Sequence, residues 1–140
     1  MEIKFGTSGL RGRANELLAG PAARFTAAFA QYLIACQKIK PGDEIAVGRD
    51  LRASSPDIAL ACIDALLEAG MRPIDCGITA TPALALFAGN RGLAAIMVSG
   101  SHIPADRNGL KFYRPDGEIE KADELAISSI AAARSPAARA

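Results

Sequence analysis

Leu93-Ala94-Ala95-Ile96-Met97-Val98 is an unbroken apolar run, and Ser99-Gly100-Ser101-His102-Ile103-Pro104 follows it directly. A short run that is apolar on both faces predicts a strand covered on each side. Ser101 then lies just past the C-terminal end of that strand, where open α/β sheets gather their ligand-binding loops. The continuation, Ala105-Asp106-Arg107-Asn108-Gly109-Leu110-Lys111, brings a carboxylate, a guanidinium and an ammonium to the same short stretch as His102, the single histidine. A serine among cations, without an evident base and carboxylate in triad order, points to phosphate chemistry ahead of ester or peptide hydrolysis.

The segments before it alternate strand and helix. Phe25, Ala28, Phe29, Tyr32, Leu33 and Cys36 recur at helical spacing and predict a helix over 21–38, closed by a turn at Pro41-Gly42-Asp43. Glu44 to Gly48 reads as a strand. Ser54-Ser55-Pro56 opens a second helix, with a hydroxyl to cap it, proline early and Gly70 just past its end. Arg72 to Cys76 is a further strand, and Thr79-Ala80-Thr81-Pro82 starts a helix through Phe87. After the apolar run, Asn108-Gly109 signals a turn. Leu110 to Tyr113 then returns as a strand that pairs antiparallel with its predecessor, because so short a connection permits no crossover. Pro115-Asp116-Gly117 is a turn, and a last helix covers 121–133. The pattern predicts an α/β domain with a mixed, mostly parallel four-stranded sheet.

At 140 residues the chain has room for one domain with a real core. Half of its residues are hydrophobic and the net charge is +1, so it lacks the basic excess of a general nucleic-acid binder and any anion recognition is local. Cys36, Cys62 and Cys76 are widely spaced in apolar segments and predict three buried reduced thiols, with no CxxC pair for zinc. Met1-Glu2-Ile3-Lys4-Phe5 has no signal-peptide pattern, and no apolar run approaches the ~20 residues that span a bilayer, which predicts a cytoplasmic protein without a membrane partner. The alanine-rich end, 134–140, with its Ser135-Pro136 break, reads as an interdomain linker. The chain is therefore expected to be the first domain of a longer protein.

Two other stretches carry polar groups suited to anions. Phe5-Gly6-Thr7-Ser8-Gly9-Leu10-Arg11-Gly12-Arg13 spaces its glycines by three, so the backbone can approach a ligand closely and Arg11 or Arg13 can add a forked contact. It matches neither the GxGxxG fingerprint nor a P-loop. Gly48-Arg49-Asp50-Leu51-Arg52 follows a strand and precedes a helix; Asp50 reads as a structural partner of an arginine, and Arg49 and Arg52 as contributors to a positive site. A serine hydrolase is disfavoured because GxSxG is absent and His102, adjacent to Ser101, is badly placed to take its proton.

Together, Phe5 to Gly12, Gly48-Arg49-Asp50-x-Arg52-x-Ser54-x-Pro56 and Ser99 to Lys111 resemble the first domain of the α-D-phosphohexomutases, in the right order and over nearly the whole chain. The family's serine loop usually reads Thr-Ala-Ser-His-Asn-Pro; here Ile103 replaces the asparagine and removes a polar side chain. The resemblance implies a three-layer α/β/α domain over 1–133. It implies that Ser101 carries a phosphoryl group between C1 and C6 of a hexose phosphate through a bisphosphorylated sugar. His102 and Lys111 would act near the transferring hydroxyl, and Arg11 would place the phosphoryl group. Ser8, Arg49, Arg52 and Asn108 would contribute to phosphate binding. Mg²⁺ would bind the phosphate on Ser101, with its other ligands on domains outside this chain, and a sugar 1,6-bisphosphate would activate the enzyme. Ser8 resembles the mannose and glucose mutases more than the glucosamine mutases. The expected partners are the phosphosugar and the missing domains, without which the chain would be inactive. The alternative reading is a free-standing anion- or phosphosugar-binding module that kept the fold without catalysis.

Overall fold

The computed structural model describes residues 3–6, 9–100 and 103–134. The chain runs β1 (Lys4–Gly6), β2 (Gly9–Arg13), α1 (Ala14–Leu18), α2 (Pro21–Ala35), β3 (Glu44–Arg49), α3 (Ser55–Glu68), β4 (Arg72–Ile78), α4 (Thr81–Arg91), β5 (Ala94–Val98), β6 (Arg107–Arg114), β7 (Gly117–Glu118) and α5 (Lys121–Ala133). The expected α/β class and its three layers hold.

The apolar run at 93–98 becomes β5, all five of whose residues are buried. Ile96 and Val98 point into a core shared with α1, α2, α3 and α5, through Leu17, Phe29, Ile58 and Ile127. Ala95 and Met97 point the other way, toward Leu84 and Ala88 of α4. This alternation is the period of a strand with helices on both faces. Burial of each large side chain removes apolar surface worth ~2 kcal/mol from water. Phe29 also packs on Phe112 of β6 with ring centroids 4.7 Å apart.

The sheet corrects the expected strand count. It has seven strands among the described residues, in the order β1-β2-β6-β5-β3-β4, with β7 on β6. Only β4-β3-β5 run parallel; the four other pairings are antiparallel. The extra strands come from a hairpin, β1-β2, where the sequence shows only glycines and charges, and from the two-residue β7. The antiparallel pairing of β5 with β6 is as expected.

Three local expectations shift. The α2 helix stops at Ala35, short of Lys38, because Gln37 turns to φ 61° and the Lys38 N–H returns to the Leu33 carbonyl at 2.9 Å. Such a left-handed residue with a backward bond closes a helix. Asn108-Gly109 is not a turn but lies inside β6; the chain reverses earlier, where the Arg107 N–H bonds the Pro104 carbonyl at 3.0 Å. The helix starts at Ser55 and Thr81 lack the expected hydroxyl cap, although proline stands early in both helices. Of the three free cysteines, only Cys62 is fully buried; Cys76 is half-buried and Cys36 exposed. No described helix is long and apolar enough to cross a membrane.

Candidate functional site

The C-terminal ends of β3 and β5 lie side by side, and the loops that leave them meet. Just past β3, Asp50 donates its own N–H to the Val98 carbonyl at 2.9 Å. Its carboxylate then accepts four bonds or contacts. The Gly100 N–H reaches Oδ2 at 3.0 Å, the Ser55 hydroxyl and the Arg52 N–H reach Oδ1 at 2.5 Å and 3.1 Å, and Arg52 Nε stands 3.5 Å from Oδ2. Burial alone would raise the Asp50 pKa. The bonds from Ser55, Arg52 and Gly100 outweigh it and hold the carboxyl below its ordinary value. Asp50 is thus an anion at neutral pH, as the sequence reading of a structural partner for an arginine requires.

The Arg52 guanidinium reaches over the same loop. It donates to the carbonyls of Ile103 at 2.6 Å, Pro104 at 2.7 Å and Arg107 at 3.2 Å. Gly100 lies directly against it: a Cβ there would collide with Nε and Cζ. The Gly100 carbonyl in turn accepts from the Ile103 N–H at 3.0 Å and from Arg11 at 2.8 Å. Arg11 comes from β2, opposite Gly109 of β6, and its side chain crosses the space a Cβ of Gly109 would need. Burial, with the like charge of Arg52 beside it, lowers the Arg11 pKa without threatening its charge at neutral pH.

Asn108 anchors the floor of the loop. Fully buried, it donates to the hydroxyls of Ser54 at 2.9 Å and Ser55 at 3.0 Å, and its own oxygen accepts the Gly109 N–H. This explains the missing cap at α3: both serines are taken up by the loop network. It also explains why an Asn-Gly pair continues a strand, since the asparagine's polar atoms are satisfied in place.

The structure therefore brings Arg11 and Arg52 together at Gly100 and joins Asn108 to them through Ser55 and Asp50, with Ser54 added to the set. Sequence reasoning gave those serines to helix capping; the signal for their second duty was a buried polar asparagine that needed partners. Lys111 shares the sheet face of Gly109 and Tyr113, two residues on from Gly109, and lines a cleft with Tyr113, Pro82 and Glu118. Arg49 is not brought into the cluster. It leans toward β4, where its NH1 is 3.9 Å from Asp75. Ser8, Ser101 and His102 lie outside the described residues. Ile103, at the position where the resemblance leads one to expect asparagine, is held through its backbone N–H and carbonyl.

The described residues do not form a site for Mg²⁺. No three His, Cys, Asp or Glu side chains converge among them, and the Asp50 carboxylate beside the loop is already engaged. What the arrangement offers is a backbone loop fixed on both sides of Ser101 and His102, flanked by cations and a single carboxylate. Such a setting suits a doubly charged anion more than a hydrolytic nucleophile.

Comparison with known proteins gives the same direction. Residues 2–138 match the family description "Phosphoglucomutase/phosphomannomutase, alpha/beta/alpha domain I". A phosphomannomutase of Sinorhizobium fredii (strain NBRC 101917 / NGR234) is 55% identical over 131 residues, 94% of this chain and 28% of the relative. A phosphoglucosamine mutase of Lactococcus lactis subsp. cremoris (strain MG1363) is 37% identical over 90% of this chain and 28% of its own length. The crystal structure of a phosphoglucomutase/phosphomannomutase family protein from Burkholderia thailandensis superposes with a TM-score of 0.76 at 28% identity, over 93% of this chain and 30% of that one. The chain thus spans under a third of the length of these relatives.

Proposed function

Because the chain belongs to the phosphoglucomutase/phosphomannomutase family through its α/β/α domain I, we propose that it is the phosphoserine-bearing domain of a mutase that interconverts hexose 1-phosphate and hexose 6-phosphate. The supporting observation is the loop around Gly100. Its backbone is bound by Arg11 and Asp50 on one side of Ser101 and by Arg52 on the other.

In this reading Ser101 is a carrier. A sugar hydroxyl oxygen attacks the phosphorus of phosphorylated Ser101, a P–O bond forms to the sugar, and the bond to Ser101 Oγ breaks. The serine oxygen takes up a proton and the sugar hydroxyl gives one up. The product is a hexose bisphosphate, which turns over and returns its other phosphoryl group to Ser101 by the reverse steps. His102 and Lys111 handle the proton and the charge at the transferring hydroxyl, and Arg11 steadies the phosphoryl oxygens. Phosphorylated Ser101 would hold Mg²⁺ only through its phosphate, where the ion would supply charge neutralisation, and the other protein ligands would come from other domains of the enzyme. The sugar is mannose or glucose phosphate, the activator a sugar 1,6-bisphosphate, the compartment the cytoplasm. The isolated chain, which spans under a third of its relatives' length, turns over negligibly.

Mass spectrometry of the full-length enzyme after exposure to glucose 1,6-bisphosphate tests this. One added phosphoryl group mapped to Ser101, and lost in Ser101→Ala, is the expected result. A label on another residue refutes the carrier role.

A further inference from the structure

We propose that Arg52 is a positioning residue for phosphoryl transfer: its guanidinium, anchored by Asp50, sets the backbone at Gly100 and over residues 103–107, on either side of Ser101 and His102, and so governs how Ser101 is presented for transfer. This rests on the reading of Ser101 as phosphoryl carrier.

The geometry is that of a clamp. One side chain, 15% exposed, bonds three carbonyls that are spread over five residues, from Ile103 to Arg107. The same guanidinium carries Gly100 against its Nε and Cζ, with no room for a side chain between. Asp50 fixes the arginine by its charge and fixes Gly100 by accepting its N–H, so both flanks of Ser101-His102 are referred to one ion pair. Asp50 is itself fastened to the sheet through the Val98 carbonyl and to α3 through Ser55. The loop is thereby held to rigid elements, which a transferring group requires.

The number and spread of the bonds argue for a duty beyond stability. A loop at the edge of a sheet can be tethered by one contact. Three carbonyls drawn to one planar cation fix the direction of each peptide unit, and a lysine cannot reproduce that fork. Phosphoryl transfer depends on in-line placement of donor and acceptor, so small errors of alignment weigh heavily on rate.

The experiment compares wild type, Arg52→Lys and Asp50→Asn in the full-length enzyme. For each, kcat, KM, thermal midpoint and the phosphoryl label on Ser101 are measured. The expected result for Arg52→Lys is a fall in kcat of about 30-fold. KM should change by less than about threefold, and the midpoint should shift little. Asp50→Asn should lower kcat in the same sense, and it decides the matter by the same criteria if Arg52→Lys does not fold. A labelled wild type with kcat of both variants within about threefold of normal overturns this inference and leaves the carrier reading intact. A fall in kcat matched by an equal loss of folded protein also overturns it. An unlabelled wild-type Ser101 overturns both.

Discussion

Strand β6 begins in one polar network and ends in another, and the two are built differently. At its start, Asn108 holds two serine hydroxyls and the Arg107 carbonyl accepts from Arg52. Most of that network ends on backbone atoms of a loop. At its end, Arg114 donates to Asp116 and to Asp123, each at 3.0 Å. Asp123 also accepts from the Tyr32 hydroxyl at 2.5 Å and the Glu120 N–H at 2.7 Å. Here side chains bind side chains and join α2, β6 and α5. The first network gives shape to a loop; the second ties elements together. Charge clusters of similar size can thus serve either geometry or stability, and the atoms that accept the bonds tell which.

The largest expected effect lies at the second network. Asp123 is 7% exposed on its side chain, and Asp123→Ala leaves the Tyr32 hydroxyl and the Arg114 guanidinium without their shared acceptor. Loss of about 3 kcal/mol is expected, read as a fall of roughly 10 °C in the thermal midpoint. A fall under about 3 °C would make this network ornamental and dissolve the contrast.

Gly109→Ala probes the first network from below. A Cβ there meets the Leu10 carbonyl at 2.9 Å, the Ser99 carbonyl at 3.1 Å and Arg11 Cγ at 3.2 Å. Two of these are backbone, one on β2 and one just past β5, so they give way only if β6 shifts against its neighbours. A cost of about 2 kcal/mol is expected from urea melts, with faster amide exchange at Ile103 as Arg11 is pushed off Gly100. Unchanged exchange at Ile103 would uncouple the sheet from the loop.

The smallest effect is a pH dependence shared by both networks. Burial alone would raise the Asp123 pKa, but bonds from Tyr32, the Glu120 N–H and Arg114 outweigh it and hold the pKa below its ordinary 3.8. Asp50 is held low in the same direction. A carboxylate with a depressed folded pKa stabilises the fold above its unfolded pKa, and the contribution is lost as pH falls through the folded value. Stability should therefore hold from neutral pH down to about 4 and decline below it. Asp123→Asn should flatten that decline, measured as thermal midpoint against pH. An undiminished decline would assign the acid sensitivity to other groups.

The sequence made the apolar strand at 94–98 legible, since burial on both faces leaves an uninterrupted run. The helices at 55–68 and 121–133 were equally legible, because each carries its own period and a clear stop. The β1-β2 hairpin was not. Its strands are three and five residues long, and its alternation is interrupted by Gly9 and Gly12, where a Cβ would meet the Leu110 carbonyl and the Ile3 side chain. Asn108-Gly109 misled for a related reason: the turn signal is local, whereas the partners that hold it in a strand, Ser54 and Ser55, stand 54 and 53 residues away. At the site, the types of residue were readable and their duties were not. Arg52 looked like any phosphate-seeking arginine until its bonds to Ile103, Pro104 and Arg107 were seen.

The carrier role of Ser101 is tested most directly by rapid quench of full-length enzyme that bears a radiolabelled phosphoryl group, mixed with unlabelled hexose monophosphate. The account predicts that label leaves Ser101 and enters a hexose bisphosphate at least as fast as the enzyme turns over. Label that stays on the protein through many turnovers, or turnover that persists in Ser101→Ala, would contradict it.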